Sequence, residues 1–252
     1  MTTQEGKRIV MITGGTSGMG QAMAKAFVRE NCHVIIIGRD QNKLRATAQE
    51  LEPYATWLQV DVSQREQVVA AATKVVEQFG HIDVLINAAG FVRGVDTTMP
   101  IKEAEHEWDA VLDTNLKGSF LMTIAVAPHM PRPGGRIIYI SSIAAFTGGS
   151  RAGSTAYAAA KAGVHGLTYG FARELSPQGI TVNAIAPGFI ANTGFTGAWS
   201  EERVHGIIEQ TPVGRGGNVN DVAVAALYLA SPEASFVTGE VLNVNGGWLF
   251  GH

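Results

Sequence analysis

"RIVMITGGTSGMG", Arg8 to Gly20, decides the fold. A run rich in Ile, Val and Met enters a turn with glycines at 14, 15, 18 and 20. Helical spacing of apolar residues follows from about 19 to 30. A strand, a glycine-rich turn and a helix in this order open a βαβ unit. Without Cβ atoms, the glycines permit a tight turn and close approach of a pyrophosphate. The helix start behind them offers free N–H groups and the positive end of a dipole. Gly14, Thr16, Ser17, Gly18, Met19 and Gly20 are therefore the expected cradle of a dinucleotide.

The strand signal recurs along the chain. "HVIIIG" from His33, "TWLQV" from Thr56, "DVLIN" from Asp83, "RIIYIS" from Arg136, "ITVNAIA" from Ile180 and "VLNV" from Val241 are short and rich in Val and Ile. Several are apolar at consecutive positions, the mark of parallel strands covered on both faces. Helices are expected at about 41–51, 64–79, 103–128, 156–175 and 219–230. Strand and helix alternate throughout, so the fold class is α/β: a doubly wound parallel sheet with helices on both faces. The 252 residues form one expected domain, 1–252, with no repeat and no linker. "MPRPGGR" is a turn into a strand. The least regular stretch, Phe189 to Gln210, holds glycines and a short polar helix. It follows the carboxyl end of a strand, where ligands of open α/β sheets bind, so a substrate lid is expected at 189–210.

Hydrophobic residues are 46% of the chain, and charged residues only 16%. So few charges favour buried contacts between subunits. The formal net charge is −3, with no dense Lys/Arg block, which argues against nucleic acid and anionic membrane as partners. Cys32 is the only cysteine, so no internal disulfide forms. No apolar run approaches the ~20 residues that cross a bilayer. "MTTQEGKRIV" lacks a signal-peptide core, and a cytoplasmic location is expected. The histidines show no metal-ligand spacing, and no metal is expected; His106, His129 and His165 read as surface or packing residues.

The end of the second strand should read the adenosine ribose. A carboxylate there would bind the ribose hydroxyls and repel a 2′-phosphate. The sequence has Gly38 at that place, then Arg39. A guanidinium suits phosphate, so NADP(H) is expected over NAD(H). Asp40 takes the acidic role if the register slips by a residue.

"STAYAAAKAG", Ser154 to Gly163, is alanine-rich and helical. Tyr157 and Lys161 are four residues apart and share a face. Two readings stand: a core tyrosine with a snorkelling lysine, or a proton donor tuned by an ammonium. A free phenol has a pKa of about 10, and a nearby ammonium lowers it.

Taken together, these residues resemble the short-chain dehydrogenase/reductase family. The resemblance covers nearly the whole chain. It rests on Thr13 to Gly20, Asp61-Val62, Asn87-Ala-Ala-Gly90, Asn115, Ser142, Tyr157-x-x-x-Lys161, Pro187-Gly188 and the tail "TGEVLNVNGG". Within the family, the branch of 3-oxoacyl-carrier-protein reductases and related ketoreductases is the most similar. The resemblance implies a Rossmann-like domain and a catalytic set of Ser142, Tyr157 and Lys161 supported by Asn115. Ser141 also ends the strand, and matching "GRIIYISS" to the family's strand selects Ser142. Asn115 is implied to bind a water that continues the proton path from Lys161. Asp61 and Val62 are implied to flank adenine. Asn87, Ala88, Gly90, Pro187, Gly188 and backbone groups of Ile190 are implied to line the cofactor, with Tyr157 and Lys161 at its nicotinamide end. Family members commonly carry a threonine after this Pro-Gly; here Asn192 takes its place and Thr193 follows. The Ser142–Tyr157 gap is longer than usual, with "TGGSRAGST" inside it.

Ala144, Phe189, Phe195 and Trp199 are the expected walls of an apolar substrate pocket. Phe146 and Val95 are further candidates. Arg93, Asp96 and Arg151 are candidates for polar selectivity. Three functions compete. The first is NADPH-dependent reduction of a ketone, such as a β-ketoacyl thioester. The second is an alcohol or polyol dehydrogenase working oxidatively. The third is a non-catalytic dinucleotide-binding sensor or scaffold. Acyl carrier protein is acidic, and the basic surface here is thin, reduced to Arg132. The family resemblance also implies a homotetramer built through the Tyr157 helix and its neighbour.

Overall fold

The computed structural model describes residues 6–197 and 199–251. Among these, seven strands form one sheet in the order β3-β2-β1-β4-β5-β6-β7. They are β1 (Ile9–Thr13), β2 (His33–Gly38), β3 (Ala55–Gln59), β4 (Val84–Asn87), β5 (Arg136–Ile140), β6 (Thr181–Pro187) and β7 (Val241–Val244). Every pairing is parallel. All seven expected strands are present, and the expected doubly wound architecture holds.

Consecutive apolar residues make this sheet because each strand feeds two cores. Ile9 and Met11 face one layer; Val10 and Ile12 face the other. The first layer is closed by α3 (Arg65–Phe79), α5 (Gly118–Val126) and α7 (Thr155–Leu175), through residues such as Val75, Met122 and Phe171. The second is closed by α1 (Gly18–Arg29), α2 (Gln41–Glu50) and α9 (Val219–Ala230), through Phe27, Leu44 and Leu229. Full burial of each such side chain contributes about 1.5–3 kcal/mol. Among the described residues no helix is long and apolar enough to cross a membrane.

The long helix expected over 103–128 is instead α4 (Ile101–Leu112), a π-helical turn (Asp113–Lys117) and α5. The cause is Asn115. Its side-chain Nδ2 donates to the carbonyl of Val111 at 2.9 Å, the acceptor its own backbone N–H uses in a regular α-helix. The turn widens, as at many functional sites. One α-helix beyond those expected, α6 (Ala144–Thr147), is only four residues long, and α4 starts two residues before the expected bound. The polar helix of the irregular stretch is α8 (Glu201–Glu209).

The winding reverses between β1 and β4, which sit side by side in the sheet centre. Outside their carboxyl ends lies the crevice that open α/β sheets use for ligands. One side chain fastens its two banks. Thr13 Oγ1 accepts from the backbone N–H groups of Ala88 and Ala89, each at 3.0 Å. Thr13→Val strands both donors. It is expected to cost about 1–3 kcal/mol in a denaturant titration, with Thr13→Ser restoring most of the loss.

Candidate functional site

The glycine turn packs against the residues after β4. Gly14 has φ +68° and donates to the Ile37 carbonyl at 2.8 Å. A Cβ there would meet the Ala88 carbonyl oxygen at 2.9 Å. A Cβ on Gly20 would collide with the Gly14 carbonyl. Gly18 opens α1 with φ +50°, beside Thr16, Ser17 and Met19, and Ser17 makes no side-chain cap, so the helix start keeps its amides for a ligand.

Across the crevice, Asn87 closes β4 and is 3% exposed, yet neither its Oδ1 nor its Nδ2 has a hydrogen-bond partner. A buried amide left unmade costs energy, and a bound group with donors and acceptors removes that cost. Together with the glycine cradle, this fits a dinucleotide. Gly90 leaves room where a Cβ would press on the Asn115 side chain and approach Lys161 Nζ at 3.5 Å. Asn115 is fully buried; Nδ2 also donates to the Phe91 carbonyl at 3.0 Å, while Oδ1 has no partner.

β2 ends at Gly38. Asp40 caps α2, accepting from the amides of Asn42 and Lys43 at 3.0 and 3.1 Å. The exposed Arg39 follows Gly38, its guanidinium 6.0 Å from the Phe91 ring centroid on the far bank. After β3, one oxygen of Asp61 accepts from Ser63 N and Oγ. Val62 is buried and packs where a Gly118 Cβ would be.

Ser141 and Ser142 point opposite ways, as successive residues at a strand end do. Ser141 is buried, 2.8 Å from His165 Nε2, and donates to the Lys161 carbonyl at 3.2 Å. Ser142 faces the crevice. Its Oγ accepts from Ala144 N at 3.1 Å and its hydroxyl hydrogen-bonds Tyr157. Burial holds the Tyr157 phenol up, to about 12, against the lowering effect of that bond. Sequence reasoning expected the opposite direction, from the Lys161 charge. The ammonium instead donates to the Ile140 carbonyl at 2.7 Å and lies 5.5 Å from the phenol ring centroid. Its own pKa is pushed down to about 8 by burial.

Pro187 ends β6, and Gly188 donates to the Val244 carbonyl. A Gly188 Cβ would meet Asn245 at 2.8 Å. The Ile190 carbonyl is taken by Thr196 Oγ1 at 2.6 Å. Asn192 is left-handed, φ +55°, and Thr193 is buried beside Gly18 of the cradle. Asn is among the residue types that tolerate positive φ.

Of the expected pocket walls, Phe195 lies 6.2 Å from the Tyr157 ring, and Phe189 stacks on Trp199 at 5.5 Å. Ala144 is buried under Ser142. Arg93 and Asp96 are occupied, by Glu107 at 2.7 Å and by Thr98. Sequence reasoning quoted Thr13 only within the glycine motif, read His165 as a surface or packing residue and passed over Arg203. The bracing contacts of a strand-end threonine, a helical histidine and an α8 arginine carry no local signal.

Three comparisons bear on this arrangement. Residues 14–249 match the family model described as enoyl-(acyl carrier protein) reductase. The chain is 39% identical over 251 residues to the 3-oxoacyl-acyl-carrier-protein reductase FabG of Thermotoga maritima, covering 96% of this chain and 98% of that one. It is 38% identical over 249 residues to the short-chain reductase protein NovJ of Streptomyces niveus, covering 95% and 93%. A solved short-chain dehydrogenase/reductase from Brucella melitensis, titled glucose/ribitol dehydrogenase, superposes with a TM-score of 0.90 at 28% identity, over 97% of each chain.

The buried ammonium makes a prediction. Its pKa is lower folded than unfolded, so the unfolded chain binds the extra proton between pH 8 and 10.5, and Lys161 costs stability below that window. Lys161→Met should raise stability at pH 7 by roughly 1–3 kcal/mol, a gain that shrinks as pH climbs through the window. Denaturant titrations at pH 7 and 10 check this.

Proposed function

The chain belongs to the short-chain dehydrogenase/reductase family, and on that premise we propose that it reduces a ketone to a secondary alcohol with NADPH, Tyr157 giving the proton. A β-ketoacyl thioester or a related small carbonyl is the substrate class. The observation that carries this reading is the convergence of Ser142, Tyr157 and Lys161 beside Gly90 and Asn115, at the carboxyl edge of β5.

The residues that would hold the cofactor are the Gly14–Gly20 cradle, Asn87, Ala88, Gly90 and Gly188, with Arg39 toward the 2′-phosphate. When bound, the nicotinamide supplies a hydride. This chain's residues manage the charge that hydride addition leaves on the carbonyl oxygen. The Ser142 hydroxyl, braced by Ala144 N, donates to that oxygen. The Tyr157 phenol beside it transfers its proton. A phenol held near 12 suits this direction, because an alkoxide is a stronger base than a phenolate and takes the proton downhill. The oxidative reading needs the phenolate, which burial disfavours. The scaffold reading leaves the acid unused. Lys161 holds the β5 end to α7 through Ile140, and Asn115 Oδ1 offers an acceptor near it.

A homotetramer through α7 and α5 fits the outer face. Phe120, Ile124 and Tyr169 stand 41–51% exposed there. Leu112, Leu116 and Leu167 line a groove of about 520 Å³ beside them. Area of this kind on a monomer marks an interface.

Tyr157→Phe should lower kcat by about 10³-fold or more while NADPH binding, read by fluorescence titration, stays within a few-fold. Retained turnover overturns the proton donor. Arg39→Ala should weaken NADPH by about ten-fold or more and NADH far less, as loss of a guanidinium–phosphate pair requires. Equal losses remove its phosphate role.

A further inference from the structure

The pocket mouth holds two cations that the ketone chemistry does not use. Arg203, half-buried on α8, lies flat over the Trp199 indole, its Cζ 3.5 Å from the ring centroid. Its Nη2 donates to Ser150 Oγ at 3.1 Å. Arg151 is the next residue, in the lengthened segment between Ser142 and Tyr157. The Ser150 bond brings Arg203 to the residue next to Arg151, and burial first and the Arg151 charge second hold the Arg203 guanidinium below its usual range. Among the described residues neither has an acidic partner within 4.0 Å, although Glu201 and Glu202 stand in the same turn of α8. The contrast with Arg93 is direct, since that cation is neutralised by Glu107.

Like charges brought together cost energy unless an anion joins them. The contacts that fix Arg203, an indole face and a serine hydroxyl, are neutral, and Ser150 uses one of five N–H donors. The remaining fork keeps the geometry that carboxylates and phosphates match. The place also fits a substrate end. Phe195 borders Tyr157, while Phe189 stacks on Trp199 and Trp199 carries Arg203, so aromatic residues of the 189–210 stretch stand beside both the proton donor and Arg203.

We propose that the substrate carries an anionic group remote from its reacting carbonyl, and that Arg151 and Arg203 hold that group. This rests on the reductase reading above. The anion has two possible sources, the phosphate of a phosphopantetheine thioester or the carboxylate of a free keto acid.

Two matched pairs separate them: 3-oxobutanoyl-4′-phosphopantetheine against 3-oxobutanoyl-pantetheine, and a 5-oxo-carboxylate against its methyl ester. In the full chain with NADPH, the anionic member of one pair should have a kcat/KM about ten-fold higher or more, the worth of one charge-assisted hydrogen bond. The pair that shows the preference names the source. The ratio should fall toward one in Arg203→Gln and in Arg151→Gln, and recover in part in Arg203→Lys. A ratio of one for both pairs in the wild type, or a ratio that both variants leave unchanged, overturns the proposal while the reductase reading stands. If none of the four ketones is reduced, the reductase reading falls and calorimetry decides the anion site. Tighter binding of 4′-phosphopantetheine or of the 5-oxo-carboxylate than of its neutral partner, lost in Arg203→Gln, sustains the site; equal binding within both pairs overturns it.

Discussion

The constraint on which the molecule turns is the reversal of winding between β1 and β4. Two parallel neighbours whose connections leave in opposite directions cannot both be covered at their carboxyl ends. The gap must be lined by backbone, and backbone in a gap must be satisfied. Thr13 does this for the far bank, where one hydroxyl oxygen accepts from Ala88 and Ala89. The glycines do it for the near bank by letting the Gly14 turn lie against that same loop. What is left over, the start of α1 and the amide of Asn87, is what a dinucleotide needs to find.

The reacting centre is a second consequence of packing. Parallel β5 delivers Ser141 and Ser142 to the crevice edge with opposite aims, and only the second meets Tyr157. The first is tied to α7 through His165 and the Lys161 carbonyl. Lys161 itself reaches back to Ile140. Strand end and helix are thus cross-linked by buried polar groups on both sides of the tyrosine. Buried polar networks are costly when incomplete and rigid when complete. Burial leaves the lysine readier to lose its proton and the phenol slower to lose its own.

Much of this was legible in the chain because its signals are periodic or obligatory. Runs such as "HVIIIG" are apolar at consecutive positions only if both faces are covered, and the strands followed. Gly14 and Gly20 stand where no side chain fits. The i, i+4 spacing of Tyr157 and Lys161 survived because α7 is regular through them. The rest depends on contacts between distant residues. The π turn at Asn115 arises from one side-chain amide on Val111, and the turn itself, "DTNLK", contains no Gly or Pro to announce a break. The lysine's preference for Ile140 over the phenol is set by where β5 ends, 21 residues away. His165 looked like any helical histidine until Ser141 was placed against it.

Charge is scarce in this protein, at 16% of residues, so the partner of each cation at the crevice is informative. Arg93 is held by Glu107 and Arg215 by Asp221, and both pairs brace loops. Arg39 is bonded through its carbonyl to Gln59, leaving the guanidinium at the mouth of the cradle. Arg203 is braced by an indole and a serine. A guanidinium positioned by neutral groups loses little of its field to a fixed counter-ion, and its geometry is set before a ligand arrives. One such cation follows the end of β2, facing Phe91, and another sits where α8 meets the segment between Ser142 and Tyr157. Among the described residues neither has an acidic partner within 4.0 Å, so each keeps its charge for an anionic ligand.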